Sequence, residues 1–370
     1  MRHDTAQDHD RRPHHRVLPT LPATTRVTIA SYDDDPPLGG QGVVVHGMRA
    51  ALERRGVQVH TISGRGEHAI AFARRTGRAP LDFSMQLNRY PQVLLRASPD
   101  VIHAQGGPGG VLLWKRLGAP LVYTAHHTYR QAHPRGSVKR LLNGVEARSY
   151  RRAAMVLPVS RSTAYALLEM GISASRIEVL SNGVDAVDLP GVEHEDGRVL
   201  FVSRMEREKG ALDAVSVLEA LTESDPRVHG VLVGGGSLAA DVRRAADASG
   251  GRIEYLGALD REALNHEYAR AAVVLMPSRF EGLGMVALEA QAAGTPVVGF
   301  DVDGLRDAVG VGGVLVPAGD MAALQAAMLR LLNDPERRAE MGSRGREVVL
   351  AEHSWDAIGE RLEEIYTAVR

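Results

Sequence analysis

The sequence predicts an α/β protein made of two doubly wound, parallel-sheet domains. Three observations predict it. Its 370 residues exceed the roughly 100–200 of one ordinary domain. From Arg26 onward, short apolar runs alternate with amphipathic helical patterns, which is how a parallel sheet with helices on both faces is written. The alternation breaks once, at 186–197 (AVDLPGVEHEDG), where two acidic clusters, a proline and two glycines replace periodicity, so that segment reads as an interdomain linker.

The first half places strands at 26–32, 57–63, 100–105, 120–126, 154–160 and 177–181. A helix over 42–55 follows the first of them, with Val45, Met48, Leu52 and Arg55 at three- and four-residue spacing. After the linker, strands are expected at 199–203, 228–233, 252–256, 272–276, 296–300 and 313–316. Helices fill the gaps at 208–223, 237–248, 260–270, 283–293 and 320–332, and two more, 335–350 and 354–369, close the chain. The domains are therefore set at 26–188 and 197–350, with 351–370 as a final helix. In such sheets ligands sit beyond the carboxyl ends of the strands, so two facing domains form a cleft lined by strand-end loops.

Composition excludes several function classes. An apolar share of 44% and a charged share of 24% exclude global disorder, and a net charge of −1 removes a whole-molecule case for binding polyanions such as nucleic acid. Only 4% of residues are aromatic, too few for a single-strand stacking platform, and the absence of cysteine excludes disulfides, thiolate metal sites and a cysteine nucleophile. No apolar stretch is long enough to span a bilayer. Residues 1–25 hold four histidines (His3, His9, His14, His15) and no apolar core of a signal peptide, and read as a disordered leader. A cytoplasmic location is expected, with peripheral contact at the inner membrane face as a variant of it. Of the 44 basic residues only Lys115, Lys139 and Lys209 are lysines, which makes each of them a position to examine.

The loops carry the chemistry. Arg204 ends strand 199–203 and Lys209 stands where the next helix should start; two cations there, aided by a helix N-terminus, suit a diphosphate. Lys115 falls in an expected helix with no site near it. Glu281 lies in the loop after strand 272–276, and Glu289 is placed two turns into the next helix with both carboxylates facing the cleft, where they could accept vicinal hydroxyls. Gly282 and Gly284 let backbone N–H groups approach an anion or a sugar. Gly39-Gly40-Gln41-Gly42 opens the first helix. His126 ends strand 120–126 and can reach a hydroxyl or phosphate, whereas alternation turns His127 away; His103 is balanced between core and site. Asp33-Asp34-Asp35 reads as a solvated acidic loop, with no metal site expected. Gly234-Gly235-Gly236 with Glu254 fits a dinucleotide fingerprint, but Glu254 lies inside strand 252–256 and the match sits in the second unit of its domain. The stretch 135–152 has six basic residues against Glu146 alone and is a candidate surface for an anionic lipid or a phosphorylated acceptor.

Together, Arg204 with Lys209-Gly210, the Glu281-to-Glu289 segment with Gly282-Leu283-Gly284, Asn182-Gly183-Val184-Asp185, Gly39 to Gly42 and His126 resemble the retaining glycosyltransferases of family 4, over about residue 26 to the C-terminus. The resemblance implies the GT-B fold: two Rossmann-like domains, acceptor on the first and nucleotide-sugar donor on the second, the last helix crossing back onto the first. It also implies that Arg204 and Lys209 hold the diphosphate, Glu289 takes the ribose hydroxyls, and Glu281 with the amides of Gly282, Leu283, Gly284 and Met285 meets the transferred sugar. Gly40 and Gly42 would line the phosphate side, His126 would contact the sugar, and Tyr255, Leu256, Gly234 and Gly235 would border the nucleotide. No metal or other cofactor is implied beyond a nucleoside-diphosphate sugar of UDP or GDP type; the acceptor is a small molecule or is lipid-linked. At Asp303-Gly304-Leu305-Arg306-Asp307 the chain departs from the usual glycine pair followed by glutamate. The alternatives are a nucleotide-sugar epimerase on a similar fold and a dinucleotide-dependent oxidoreductase.

Overall fold

The computed structural model describes residues 25–35, 40–133 and 142–370. Two all-parallel sheets carry the fold. The first has five strands, β1 (Arg26–Ser31), β2 (Gln58–Ser63), β3 (Val101–Gly106), β4 (Leu121–Ala125) and β5 (Met155–Pro158), in the order β2-β1-β3-β4-β5. Around it lie α1 (Gly40–Arg54), α2 (Ala79–Arg89), α3 (Tyr129–Ala132), α4 (Leu142–Tyr150) and α5 (Arg161–Glu169). The second sheet has six strands, β6 (Arg198–Val202), β7 (His229–Val233), β8 (Ile253–Gly257), β9 (Val273–Met276), β10 (Val297–Asp301) and β11 (Gly313–Pro317), in the order β11-β10-β9-β6-β7-β8. Its helices are α6 (Ala211–Ser224), α7 (Ala239–Ala248), α8 (Arg261–Arg270), α9 (Met285–Ala292), α10 (Asp303–Val309), α11 (Met321–Leu332) and α12 (Pro335–Glu352). α13 (Trp355–Val369) ends the chain. Both orders reverse direction once, between β1 and β3 and between β6 and β9, which makes those two seams the places where loops part and a ligand can enter.

Strands covered on both faces are written as near-continuous apolar runs, most clearly in the second sheet, where Val199, Leu200 and Phe201 of β6 and all four residues of β9 are buried. Each sheet is sandwiched between two apolar clusters. One of those on the first sheet is completed by α13, whose Trp355, Ile358, Leu362, Ile365 and Tyr366 pack with Val27, Val44 and Leu52. The C-terminal helix thus returns to the N-terminal sheet, as the resemblance implies. Trp355 fits only because Gly47 and Gly183 carry no side chain; a Cβ would come within 2.1 Å and 2.4 Å of the indole, respectively. The buried His103 fixes the far end of the helix, with Nδ1 2.7 Å from the Tyr366 hydroxyl and Nε2 2.8 Å from Thr124 Oγ1. It is a satisfied core residue and leaves the list of site candidates.

Several elements differ from the sequence reading, among them α10, which it did not expect, and three more have a clear local cause. Residues 177–181 form one bridge, Ile177 to Val156, and no strand. Glu178 and Leu180 donate to the carbonyls of Val156 and Pro158, but Pro158 has no N–H to return a bond, so no ladder grows. The helix expected from 208 begins at Ala211, after a 3-10 turn over Arg207–Lys209 and Gly210 at φ +70. Gly210 is required there, since a Cβ would lie 2.1 Å from the Pro277 carbonyl oxygen. Lys115 lies in an irregular loop held by Asn88, which accepts from the N–H groups of Trp114 and Lys115, and not in a helix.

Candidate active site

Loops from both seams meet over a cleft of about 1010 Å³. The second domain contributes Arg204 and Lys209 after β6, and Glu281 to Met285 after β9. The first contributes Gly40 and Gln41 at the start of α1, Gly106 at the end of β3, and His126 and His127 after β4. The domains touch at its base. Gly282 sits on the main chain of His126, where a Cβ would be 2.6 Å from the carbonyl oxygen, and the rings of His127 and Phe280 meet edge-on with centroids 5.7 Å apart.

The centre of the cleft is an ion pair. Lys209 Nζ lies 2.7 Å from Glu281 Oε2, with the two side chains only 18% and 11% exposed. The left-handed turn at Gly210 fixes the backbone that aims Lys209, and Gly304, where a Cβ would be 2.4 Å from the Glu281 carbonyl oxygen, lets α10 close behind that loop. The glycine in the divergent Asp303-to-Asp307 segment therefore has a packing reason. Arg204 lines the same cleft, exposed, with Glu208 at 3.0 Å. An exposed pair of this kind is worth little and exchanges readily for a better anion, so the guanidinium is available to a phosphate.

His126 donates from Nε2 to Gln105 Oε1 at 2.9 Å, which leaves Nδ1 free to accept from a hydroxyl. Burial, aided by the neighbouring His127, depresses the imidazole to about 3. Burial, then Lys209 and His133, depresses His127 to about 4. Both rings are neutral near pH 7 and serve as polar contacts without charge. That His127 lines the cleft corrects the sequence reading. β4 ends at Ala125, so strand alternation no longer governs the two residues that follow.

Several expected site residues lie elsewhere. Glu289 does not line this cleft. α9 starts only at Met285, behind Gly284 at φ +94, so Glu289 is little more than one turn in and faces α8. There Arg261 Nη1 donates to Oε1 and the Tyr268 hydroxyl to Oε2, each at 2.8 Å. Gly42 is buried within α1 and only Gly40 and Gln41 reach the cavity wall. Gly234 and Gly235 pack on the loop that carries Arg204: a Cβ on Gly234 would lie 1.8 Å from the Ser203 carbonyl oxygen, and the Gly235 carbonyl accepts from Met205 N–H at 2.9 Å. Tyr255, beside Leu256 at the end of β8, donates its hydroxyl to the Gly234 carbonyl at 2.6 Å and carries Arg243 over its ring. These four shape the loop beside the cleft without lining it. Gln105, Arg261 and Phe280 escaped the sequence reading because nothing local marks them; their importance lies in what the fold sets beside them.

Asp33 and Asp34 are not a solvated loop. Both are buried, Asp33 paired with Arg65 and Asp34 with His68 at 2.7 Å. Burial works to raise the Asp34 carboxyl, but hydrogen bonds from His68 and from the Asp35 and His68 backbone prevail and hold it below its usual value. Among the described residues no three His, Asp or Glu side chains converge to hold a metal ion, and no helix is long and apolar enough to cross a membrane. Of the basic stretch, 134–141 with Lys139 lies outside the described residues, as does the leader 1–24. The remainder is α4, whose Glu146 is fully buried and accepts from Tyr129 N–H at 3.0 Å and the Tyr150 hydroxyl at 3.3 Å. Burial raises it to about 8, against the pull of those donors.

The chain matches two family models, Glycosyltransferase Family 4 over residues 38–187 and Glycosyl transferases group 1 over 190–348. It is 30% identical over 301 residues to the 2-deoxystreptamine N-acetyl-D-glucosaminyltransferase of Streptomyces fradiae, covering 73% of this chain and 72% of that one. The chain belongs to the family 4, group 1 glycosyltransferases. This glycosyltransferase is also 29% identical over 289 residues to the glycogen synthase of Mycobacterium tuberculosis, covering 74% of this chain and 69% of that protein. In fold it is similar to the Anabaena protein HepE in complex with UDP-glucose, with TM-score 0.71 and 19% identity over 93% of this chain and 99% of that one. The two models divide the glycosyltransferase at nearly the same place as the linker, between its two sheets.

Proposed function

We propose that this glycosyltransferase moves a sugar from a nucleoside-diphosphate sugar of UDP or GDP type to an acceptor hydroxyl, with retention and without a divalent metal. The observation that carries the reading is the Lys209–Glu281 pair in the same cleft as Arg204, at the seam of the second sheet. Breaking the bond between the anomeric carbon and the phosphate puts negative charge on the leaving oxygen, and a fixed ammonium and guanidinium stabilise it where it develops. As the diphosphate settles on Lys209, Glu281 is released toward the positive charge growing on the sugar ring. The acceptor oxygen bonds to the anomeric carbon on the face the phosphate leaves. Its proton passes to the departing phosphate oxygen, so no enzyme nucleophile is assigned. His126, neutral and with Nδ1 free, accepts from a sugar hydroxyl. The acceptor enters from the first domain, past Gly40 and the His126–His127 corner, and is a small molecule or a lipid-linked one.

Glu289 keeps a donor role in this proposal only by exchanging Arg261 for ribose hydroxyls. The test is release of nucleoside diphosphate from a panel of UDP- and GDP-sugars, with and without EDTA, and with NMR of the product anomer. Lys209→Ala and Glu281→Ala should each abolish turnover in a folded protein. Near-normal rates in both, or a product of inverted configuration, would overturn the assignment.

A further inference from the structure

A second hollow lies on the opposite side of the first domain from the cleft, with a volume of about 460 Å³. Its floor is apolar, built from Leu117, Ala119 and Pro120 before β4 and Ala153 and Ala154 before β5. Its rim carries five cations, Lys115, Arg116, Arg151, Arg152 and Arg176, and no acid lines it. All five are exposed, and among the described residues none of them forms an ion pair with a carboxylate. Arginines elsewhere in this near-neutral chain are routinely matched, as Arg198 is by Glu267 and Arg227 by Asp225. Two nearby carboxylates in the chain are engaged elsewhere, Glu169 with Arg130 at 3.1 Å and Glu178 with Arg361 at 2.6 Å.

The cluster is also partly built. Arg151 Nη2 donates to the Met170 carbonyl at 2.8 Å, and Arg176 Nη1 donates to the Arg151 carbonyl at 3.2 Å. Two of the guanidiniums are therefore held in place with donors to spare. Like charges gathered round one hollow repel each other, and an anion relieves that repulsion; planar guanidiniums suit phosphate oxygens in particular. The volume falls within the range of small-molecule sites and exceeds what one phosphate fills, and the apolar floor suits a sugar face or an acyl or glycerol stem.

We propose that this hollow is a binding site for a phosphate-bearing anion, separate from the donor cleft. β4 runs from the hollow at Leu121 to the cleft at His126, five residues or about 16 Å at strand rise. The site gives Lys115 a function that the sequence alone did not suggest. The phosphate comes either from a soluble phosphorylated molecule or from an acidic lipid headgroup, and the two sources separate by experiment.

Inorganic pyrophosphate is titrated calorimetrically at low salt into the full-length chain carrying Arg204→Ala and Lys209→Ala, which removes the two cleft cations assigned to the diphosphate and leaves Arg279 paired with Asp213. The same titration follows after adding Lys115→Ser, Arg116→Ser and Arg152→Ser; Arg151 and Arg176 are spared because they brace the fold. Binding in the first protein that weakens roughly tenfold or more in the second supports a soluble ligand. If pyrophosphate binds neither, flotation with phosphatidylglycerol vesicles against phosphatidylcholine vesicles is compared with and without the three serine changes. Flotation lost with those changes supports the lipid source. Pyrophosphate binding and flotation both indifferent to the three changes, at an unchanged melting temperature, overturn the proposal. None of these outcomes depends on how the cleft handles its donor.

Discussion

Gly282 packs on the main chain of His126 at the floor of the cleft, and replacing it by alanine tests whether that contact between the domains sets the catalytic geometry. Its backbone is not in the left-handed region, so alanine brings no torsional strain of its own. The added Cβ would meet the His126 carbonyl oxygen at 2.6 Å, and the obstruction is backbone, which cannot rotate away. Ordinary contact begins near 3.4 Å, so the two loops must part by about 0.8 Å. The parting moves the His126 corner away from Glu281 and Lys209, which reach the cleft from the other domain. Misplacement on the order of 1 Å can cost roughly 100-fold in rate, so turnover should fall about 30- to 100-fold. The fold should survive, because no core atom is removed and the apolar clusters of each sheet are untouched. The assay is release of nucleoside diphosphate at saturating donor, alongside a melting curve. Gly118→Ala, whose Cβ would meet Leu95 at an ordinary 3.5 Å, is the control. Turnover of Gly282→Ala within about twofold of the parent, at unchanged melting temperature, would refute the idea that this contact holds the active geometry.

Other outcomes follow from the same structure. Glu146 keeps its proton in the folded state up to about 8, whereas the unfolded chain releases it near 4.5, so the folded state binds the extra proton between those values and stability falls as pH rises through that window. At pH 7 the cost is roughly 3 kcal/mol, and Glu146→Gln should flatten the decline of the urea midpoint between about pH 5 and 8; parallel declines in both proteins would contradict the buried, protonated carboxyl. The depressed His126 and His127 act in the opposite direction, since the unfolded chain takes up their protons first as pH falls below about 6.5 and stability drops toward acid. Turnover should accordingly show no titration of either histidine between pH 6 and 8, and a rate profile with a histidine-like step there would count against their neutral role. Trp355→Ala leaves the notch between Gly47 and Gly183 empty and should cost about 3–5 kcal/mol, read as a lower melting temperature with faster hydrogen exchange in α13. Exchange in α13 unchanged from the parent would mean that its apolar face alone suffices.

The two parallel sheets were legible because strands covered on both faces must be written as uninterrupted apolar runs, and helices between them repeat at their own period. Lysine scarcity likewise singled out Lys209, which the structure sets 2.7 Å from Glu281. Element edges were less legible where a single atom decides them. Pro158 stops a strand by lacking one N–H, and Gly210 delays a helix because the Pro277 carbonyl leaves no room for a side chain.

What the sequence by itself determined is the order and type of most elements, the two-domain plan and the loops in which the candidate chemistry sits, since these rest on local periodicity and on rules of strand connection. What only the tertiary structure decided is which of those side chains meet. Glu281 and Glu289 look alike in sequence, yet one faces Lys209 in the cleft and the other faces Arg261 and Tyr268 outside it. His103 and His126 both looked like site candidates, yet one is locked under α13 by a residue 263 positions away. Lys115 gained its four arginine neighbours from segments up to Arg176. A pairing is a property of distance in space, and a local pattern fixes the direction of a side chain only within its own element.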